Sequence, residues 1–372
     1  MVFPRPEETA ILTIDGNEYR DWETVMVRQC MKDHPYFHFR FTCSEGMPLA
    51  KNWAAMRIIP GQLCTVTLAG NLAITGFVNT RQAFYDVRRH YVEIQGSSNV
   101  MSLAQSSAVT KTGEFKDVTF KQYANALLKP FPAIQFLQKG QIPDTKFPRI
   151  SISPGTSVIE AIEEPLRSLG SVDLTSNEKG DLVASGEGGK EETDDTVVED
   201  GDDNVPRASR ILEGREILYN PGMAKGVYLI GQRPGDNQTW GAKAAFDNFH
   251  MTSFDSLAPG YAPQVAPLEI PAWQKSFLQG RAEAGRDWQV QDEVTVFVTV
   301  QGWLRPSGGL WKPRQSVIVI SPMLIMDGEG LELETKSVTF TQDNNTGTRT
   351  VLEICNSRAL AGDIPQSSGI GQ

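Results

Sequence analysis

The chain has 372 residues, of which 40% are hydrophobic and 22% are charged, a globular composition that excludes disorder over the whole length. The 33 glycines and 22 prolines favour many turns and short strands over an all-helical bundle. The formal net charge is −10, and one window, Asp181–Asp203, holds ten acidic residues against one basic residue. The rest of the chain is nearly neutral, so it lacks the basic surface with which proteins hold nucleic acid tightly.

The N-terminus and the cysteines indicate whether the protein is expected to be secreted or held in a membrane. Met1–Glu8 has no basic lead before an apolar core, and no apolar run approaches the roughly 18 residues of a membrane span. We therefore expect no secretory signal and no stable membrane association. The four cysteines, Cys30, Cys43, Cys64 and Cys355, are scattered and outside any CxxC pair, as expected for reduced, buried thiols.

The first hundred residues predict a β-domain. Asp15-Gly16-Asn17 follows an apolar β-rich run and predicts a tight hairpin turn. Many short strands with glycine-containing turns are typical of a sandwich or small barrel. The predicted strands are Ala10–Ile14, Thr24–Arg28, Tyr36–Thr42, Leu63–Leu68, Leu72–Val78 and Tyr91–Ile94.

A small α/β unit is predicted from Ser98 to about Val183. Thr119-x-x-Gln122 and Ser157-x-x-Glu160 are capping boxes, each of which predicts the start of a helix. The second helix has an apolar stripe at helical spacing, although Pro165 is expected to kink or shorten it.

Residues 185–206 predict a mobile acidic loop, because they contain too few apolar side chains to offset the entropy of ordering. This loop is either a solvated element on the outside of the protein or a docking strip for a basic partner. After it, the pattern predicts a helix from Pro271 to about Trp288 and a flexible polar tail over 359–372. The predicted strands are Val227–Gly231, Val294–Val300, Ser316–Ile320, Leu331–Leu333, Ser337–Phe340 and Thr350–Cys355.

Two short patterns recur along the chain. Pro60-Gly61-Gln62 and Pro313-Arg314-Gln315 each precede an apolar strand, and Arg89-x-x-x-Glu93-Ile94 is echoed by Arg349-x-x-x-Glu353-Ile354. The separations are 253 and 260 residues, as expected for a duplicated β-domain with different loop lengths. Chance recurrence in a β-rich sequence remains the alternative.

No catalytic motif passes inspection. Gly188-Gly189-Lys190 resembles part of a phosphate loop, but Glu191 follows the lysine and the neighbouring carboxylates would repel phosphate. The histidines at 34, 38, 90 and 250 are too dispersed for a local zinc cluster, and no EF-hand spacing or GxSxG motif occurs. We therefore assign no catalytic, cofactor-binding or metal-binding residue, and we expect no cofactor.

Two other functions stay open, a glycosidase and a sugar-binding protein. Two carboxylates that meet only in space would be enough for a glycosidase. Trp303 and Trp311 flank the turn Pro306–Gly309, where exposed rings would stack on a sugar, although large aromatic residues on strands are more often core.

An ordered set of motifs resembles the central baseplate hub proteins of Mu-like contractile-tailed phages, a family related to the hub part of type VI secretion spike proteins. Each motif is chemically unspecific, and the resemblance lies in their order over most of the chain. The motifs are Ile14-Asp15-Gly16 with Tyr19 and Trp22, Pro60–Val66, Ile74–Val78, Tyr85-Asp86, Val92–Ser97, Phe147-Pro148-Arg149, Gly155–Ile162, Arg281-Ala282-Glu283, Gly302-Trp303, Gly309–Pro313, Val338-x-Phe340 and Gly347–Leu352.

The resemblance implies a mainly β fold with an α+β insertion: two related antiparallel β-barrels plus a small α/β domain. On this basis the predicted domains are a first barrel over 1–97, an α/β part over 98–206 and 241–289, and a second barrel over 207–240 and 290–358.

The resemblance also implies a function. The protein is expected to be a non-enzymatic, homotrimeric hub in the virion tail baseplate, with pseudo-sixfold barrels that join the tail tube to the central spike. Its implied partners are the spike, the tube and other baseplate proteins, with DNA only in transit and assembly in the host cytoplasm. The alternatives are a tail-associated peptidoglycan hydrolase and a carbohydrate-binding β-protein.

Overall fold

The structure, a computed structural model, describes residues 8–31, 35–44, 57–170, 172–199, 208–218, 226–231, 237–238, 240–241, 248–253, 264–267, 294–324 and 326–355. This part of the chain is mainly β, with two related barrels and a small α/β unit, which confirms the predicted fold class. No helix among these residues is both long and apolar enough to cross a membrane.

The first barrel agrees closely with the predicted strands. Its order in the sheet is β3-β4-β7-β6-β5-β1-β2, and Phe39 and Phe41 are buried on one face of β4 while Arg40 between them is exposed. Asp15 and Gly16 have φ of 50° and 78° and form the predicted tight turn. The strands are β1 (Ala10–Ile14), β2 (Asn17–Tyr19), β3 (Thr24–Cys30), β4 (His38–Ser44), β5 (Leu63–Leu68), β6 (Asn71–Tyr85) and β7 (His90–Ser98).

The α/β unit has a hydrophobic core of its own. Both predicted capping boxes are formed, Thr119 with Gln122 and Ser157 with Glu160. The second of these helices ends one residue after Pro165, as a proline near the end of a helix requires. The elements are α1 (Met101–Gln105), β8 (Glu114–Thr119), α2 (Phe120–Leu128), β9 (Phe136–Lys139), β10 (Lys146–Ser151), α3 (Val158–Leu166), β11 (Asp173–Ser176) and β12 (Leu182–Ser185).

The second barrel closes on itself. Six strands follow the order β13-β14-β18-β21-β20-β19, and β19 pairs back to β13. The remaining three, β15, β16 and β17, form a separate sheet. The strands are β13 (Thr196–Val198), β14 (Ala208–Leu218), β15 (Gly226–Gly231), β16 (Asn248–Ser253), β17 (Gln264–Pro267), β18 (Val294–Gln301), β19 (Ser316–Ser321), β20 (Met326–Asp343) and β21 (Gly347–Cys355).

Two boundaries differ from the prediction. β15 lies in the separate three-stranded sheet, whereas residues 207–240 were expected to belong wholly to the second barrel. The runs 331–333 and 337–340 are parts of one strand, β20, which continues through an irregularity between Thr335 and Ser337. The expected helix 271–288 and the tail 359–372 lie outside the described residues.

The acidic window also differs from the expected mobile loop. Thr196, Val197 and Val198 are buried in β13, which pairs in parallel with both β14 and β19. The barrel is therefore not purely antiparallel. The prediction of a mobile loop from composition was wrong here, because the acidic residues surround a short apolar strand. The burial of that strand offsets the conformational entropy lost on ordering. The docking role stays a prediction: Glu187, Glu191, Glu192 and Asp194 are exposed, and residues 200–206 lie outside the described part of the chain.

The two barrels share one strand plan. The first barrel runs β3-β4-β7-β6-β5, and the second runs β14-β18-β21-β20-β19 in the same order, all antiparallel. The sixth strand differs, because β1 pairs antiparallel with β5 whereas β13 pairs in parallel with β19. Local hydrogen bonds repeat as well, because the Gly61 N–H donates to the Val78 carbonyl (2.8 Å) just as the Arg314 N–H donates to that of Thr335 (2.8 Å). The Pro60-Gly61-Gln62 and Pro313-Arg314-Gln315 patterns therefore mark equivalent positions in the two barrels, whereas the Arg89–Ile94 and Arg349–Ile354 patterns are offset by two residues in the strand pairing.

The side chain of the repeated glutamine has the same role in both barrels. Gln62 Oε1 accepts the Ile59 N–H (2.7 Å), and Gln315 Oε1 accepts the Lys312 N–H (2.8 Å). The Pro-x-Gln pattern is thus a device that closes the turn before β5 and before β19.

All four cysteines are buried and none forms a disulfide, and burial raises the pKa of the Cys64 thiol to about 12. Because the thiolate is the reactive form, we expect Ellman's reagent to label no cysteine of the native protein at pH 8 and four after denaturation. A thiol pKa that is higher in the folded state leaves stability intact below about pH 8.5 and lowers it as the pH rises toward 12. Rapid labelling of the native protein would contradict this burial.

Candidate assembly surfaces

The sequence candidates for chemistry do not assemble into a site. Lys190, of the glycine-rich segment, makes ion pairs with Glu332 (2.8 Å) and Glu192 (3.2 Å). Partial burial lowers its pKa, but the hydrogen bonds to these carboxylates raise it more, so the pKa lies above the usual lysine value. His38 and His90 lie near opposite ends of the β4–β7 pair. Among the described residues, no group of three or more His, Cys, Asp or Glu side chains is placed to hold a metal ion.

Trp303 and Trp311 are core residues, as is usual for large aromatic side chains on strands. Trp303 has none of its surface exposed and Trp311 has 1%. The Trp303 indole N–H donates to the Thr341 carbonyl at 3.0 Å. Neither ring is available to stack on a sugar.

A buried charged cluster joins the α/β unit to the second barrel. Arg314 donates from Nη1 to Asp173 Oδ2 (2.8 Å) and from Nη2 to the Gly186 carbonyl (3.3 Å), and its Nε lies 3.5 Å from Glu334 Oε1. Each of the three charged side chains is less than a tenth exposed. The carboxylates are thus committed to a structural ion pair across two units, which is a different arrangement from the facing acid pair of a glycosidase.

A second buried carboxylate lies inside the acidic window. Asp195 is fully buried, and its two oxygens accept from the Ser307 N–H (2.9 Å) and the Ser307 hydroxyl (2.6 Å). Arg305 Nη1 lies 3.7 Å from the same carboxylate. The side chain therefore fixes the 305–309 turn against β13.

A polar cleft of about 480 Å³ separates the α/β unit from the barrels. Its walls carry side chains of both charges, including Lys179, Asp181, Glu191 and Lys312. Lys312 Nζ lies 3.6 Å from Glu178 across it. Such a mixed lining shows no preference for a ligand of one charge.

The two barrels are joined edge to edge by main-chain pairing. β20 pairs antiparallel with β3 over Ser337–Gln342, and Phe340 lies opposite Val27. Both of these side chains are fully buried. We call this pairing the barrel joint, and it makes one continuous sheet across both barrels.

In each barrel, one long strand of the described chain continues past one of its two neighbours and so has an open edge there. β6 continues beyond its pairing with β5 over Thr80–Tyr85, where it pairs only with β7. β14 continues beyond its pairing with β13 over Ile211–Leu218, where it pairs only with β18. Unpaired edges are positions at which another chain can add a strand.

These two open edges are unusually apolar. Tyr85 is 80% exposed, and Leu218 is 58% exposed. Together the β6–β7 hairpin and β14 hold six of the eleven large hydrophobic residues that are exposed in the described chain, namely Phe84, Tyr85, Val87, Leu212, Ile217 and Leu218. Such a concentration is typical of interaction surfaces.

The sequence alone assigned no residue to an interface. A usable signal was present in β6, where the predicted strand stops at Val78 but Ala83, Phe84 and Tyr85 follow after four polar residues. These positions are exposed, so their apolar character has no explanation inside the barrel.

Two family models match the chain. "Mu phage baseplate assembly protein GpP-like, N-terminal" matches residues 9–98, and "Baseplate hub protein gp44-like, second domain" matches residues 101–186. These ranges coincide with the first barrel and the α/β unit. The baseplate hub protein gp44 of Escherichia phage Mu is 23% identical over 344 residues, which cover 92% of this chain and 86% of that protein.

Solved structures extend the likeness to the second barrel. The 43 kDa tail protein of prophage MuSo2 from Shewanella oneidensis superimposes with a TM-score of 0.77 at 22% identity, covering 95% of this chain and 99% of that one. The E. coli c3393 protein, described as a type VI secretion component similar to the T4 tail proteins gp27 and gp5, gives a TM-score of 0.58 at 8% identity. That match covers 93% of this chain and 76% of the other. The whole described fold, including both barrels, is therefore shared.

Proposed function

We propose, from the premise that this chain belongs to the baseplate hub proteins of Mu-like phages, that three copies form a ring with six barrels around a central channel. The coarse role, a structural component of the phage tail baseplate, follows from the family. The ring, its symmetry and its channel are the finer proposal.

The barrel joint is the observation that carries this proposal. Two barrels of the same strand plan lie edge to edge in one chain, joined by β20 and β3. Three such chains place six similar barrels in a closed ring, with true threefold and approximate sixfold symmetry. A ring of this kind would match a sixfold tube on one side and a threefold spike on the other.

The proposed partners are therefore the tail tube, the central spike and neighbouring baseplate proteins, with DNA passing through the channel. Outside the acidic window the chain carries 35 acidic and 34 basic residues, so the channel lining is expected to be neutral to acidic. Such a lining would let DNA pass without binding it. A channel dense in Lys and Arg would overturn this part of the proposal.

We also propose that the protein is not an enzyme and that it enters the virion tail after assembly in the host cytoplasm. The buried Asp173–Arg314–Glu334 cluster and the buried tryptophans favour a structural role over a hydrolase or a carbohydrate-binding protein. Clearing of peptidoglycan in a zymogram, or saturable binding to a glycan, would contradict this assignment.

Light scattering over a range of protein concentrations tests the ring. We expect a species near three times the chain mass of 41.0 kDa, because a closed ring of three copies would cover the apolar edges of the barrels. A protein that stays monomeric at every concentration, and also when mixed with purified spike and tube proteins, would contradict the proposed ring.

A further inference from the structure

We propose that the cleft between the β6–β7 turn and the outer face of β3 and β4 binds an acidic segment of a partner protein. The cleft has a volume of about 630 Å³, within the range usual for ligand sites. That the partner is another baseplate protein rests on the proposed function. The site itself lies within the first barrel of one chain, so it does not depend on the ring.

Three arginines converge on this cleft. Arg40 projects from the face of β4 opposite to the buried Phe39 and Phe41, and its side chain is 55% exposed. Arg88 and Arg89 come from the β6–β7 turn and are exposed as well. The lining holds these three arginines against two glutamates, although the chain as a whole has a net charge of −10. The local charge therefore has the opposite sign to that of the chain, which attracts an anionic ligand to this place.

One arginine of the cleft is left without a partner. Glu93 accepts from both Nε (2.7 Å) and Nη2 (2.6 Å) of Arg40, so that pair is complete. Arg89 Nε lies 3.9 Å from Asp86 Oδ2 in a pair that is open to water and contributes little. Among the described residues, the Arg88 guanidinium has no hydrogen-bond or ion-pair partner. It can therefore bind a carboxylate of a ligand through two parallel N–H···O bonds.

The tip of the β6–β7 hairpin has an equivalent in the second barrel. Val78 and Thr335 are equivalent, because their carbonyls accept equivalent main-chain hydrogen bonds. Asp86 and Asp343 each lie eight residues further along the chain. Each aspartate accepts, through Oδ1 at 2.7 Å, the N–H groups of the residues two and three positions after it. The same device therefore holds both turns.

The basic and apolar side chains of the first turn are not needed to build it, because the second barrel makes the same turn with uncharged polar residues. The corresponding pairs are Tyr85 and Gln342, Val87 and Asn344, Arg88 and Asn345, and Arg89 and Thr346. Tyr85 is 80% exposed and Val87 is fully exposed, so neither contributes to the barrel core. The four side chains of the first turn are therefore available for binding.

Ring stacking fixes the strands that carry the turn. Tyr85 stacks on His90 with ring centroids 6.0 Å apart and planes 5° from parallel. On the other face of the hairpin, Phe84 stacks on Tyr91 with centroids 5.2 Å apart. Such cross-strand aromatic pairs stabilise a hairpin. The two turn arginines are thus held beside the cleft before a ligand arrives, which lowers the entropy lost on binding.

The lining favours an acidic peptide over a nucleic acid. Glu23 and Glu93 in the walls would repel a continuous row of phosphates, whereas separate carboxylates of a peptide can meet the arginines one at a time. The hydroxyl groups of Thr24, Thr42 and Ser44 lie in the same walls and can donate to those carboxylates. The exposed apolar side chains at the hairpin tip would contact an apolar residue of the peptide. The expected ligand is therefore a segment that combines several carboxylates with an apolar side chain.

Binding of a defined peptide to the full chain tests the site. The probe is a fluorescein-labelled peptide of Glu-Glu-Leu repeats, followed by fluorescence anisotropy at low salt, with a Gln-Gln-Leu peptide as the neutral reference. We expect saturable binding of the acidic peptide, and binding at least about tenfold weaker in the double variant Arg88→Asn with Arg89→Thr. These replacements are the residues of the second-barrel turn, so the turn should still form. Lys111→Asn with Lys121→Thr removes two exposed positive charges from the α/β unit and should leave binding unchanged.

The outcomes decide between this site and its alternatives, once circular dichroism has established that both double variants fold. Equal binding by the two double variants, or no saturable binding by the wild type, would overturn the site. A single-stranded DNA oligonucleotide that binds more tightly than the peptide, and is lost with Arg88 and Arg89, would assign the cleft to nucleic acid instead. A change of oligomeric state in the Arg88→Asn, Arg89→Thr variant would make a second copy of this chain the occupant. The mass of the wild-type protein tests the ring separately, so either proposal can fail while the other stands.

Discussion

Replacing Arg314 with alanine is expected to lower the free energy of unfolding by about 3–5 kcal/mol, because it removes the guanidinium from two buried carboxylates. Asp173 and Glu334 are 5% and 2% exposed at their side chains, so water cannot replace the lost partner without opening the cluster. Urea denaturation followed by fluorescence and circular dichroism measures the loss. Since Asp173 belongs to the α/β unit, we also expect that unit to unfold at a lower urea concentration than the barrels.

Two further variants test whether the loss of stability comes from the buried charge of Arg314. Arg314 has a φ of 62°, and its equivalent in the first barrel, Gly61, has a φ of 94°. Arg314→Gly should therefore be more stable than Arg314→Ala by about 1–2 kcal/mol, because glycine adopts this conformation without strain, and yet remain less stable than the wild type. Lys312→Ala removes the partly exposed ion pair to Glu178 from the same turn and is expected to cost at most about 1 kcal/mol. Equal losses for Lys312→Ala and Arg314→Ala would contradict the role of burial.

Local patterns predicted the elements of the fold well. The first-barrel strands, the turn at Asp15-Gly16 and the capping boxes at Thr119 and Ser157 each depend on a few adjacent residues, so the sequence is sufficient to place them. Strand β20 was predicted as two separate runs, 331–333 and 337–340, because an irregularity between Thr335 and Ser337 interrupts the alternation of side chains within it.

The acidic window shows where composition fails. An average over 185–206 is strongly polar, but Thr196-Val197-Val198 is enough for a short buried strand once β14 and β19 stand on either side of it. Those neighbours lie far along the chain, so a local average carries no information about them. Tertiary pairing overrode local polarity here.

The candidate interface depends on a different kind of information. Which strand edge is open follows from the complete pairing of both barrels, and no single segment contains it. The recurring Pro60-Gly61-Gln62 and Pro313-Arg314-Gln315 patterns nevertheless pointed to equivalent positions, which the same main-chain hydrogen bonds hold in both barrels. The repeat was therefore the most informative long-range signal in the sequence.

Asp195→Ala is the second variant with a large expected effect, a loss of about 2–4 kcal/mol in the free energy of unfolding. The carboxylate is fully buried and accepts both the N–H and the hydroxyl of Ser307, and Arg305 lies 3.7 Å away. Alanine leaves these donors facing a small void beside β13. Because β13 lies between β14 and β19, the expected consequence is a loosened closure of the second barrel, measured by urea denaturation and by faster hydrogen exchange in Thr196–Val198.

Asparagine and a neighbouring glutamate supply the controls for this prediction. Asp195→Asn keeps an oxygen for the Ser307 N–H, and its amide can donate to the Ser307 hydroxyl, so only the attraction to Arg305 is lost and about half of the destabilisation is expected. Glu192→Ala removes an exposed charge of the same window, one that makes only a surface ion pair with Lys190, and should cost at most about 1 kcal/mol. If all three variants were as stable as the wild type, the acidic window would not be fixed to the barrel through Asp195, and the expectation of a mobile loop would regain its support.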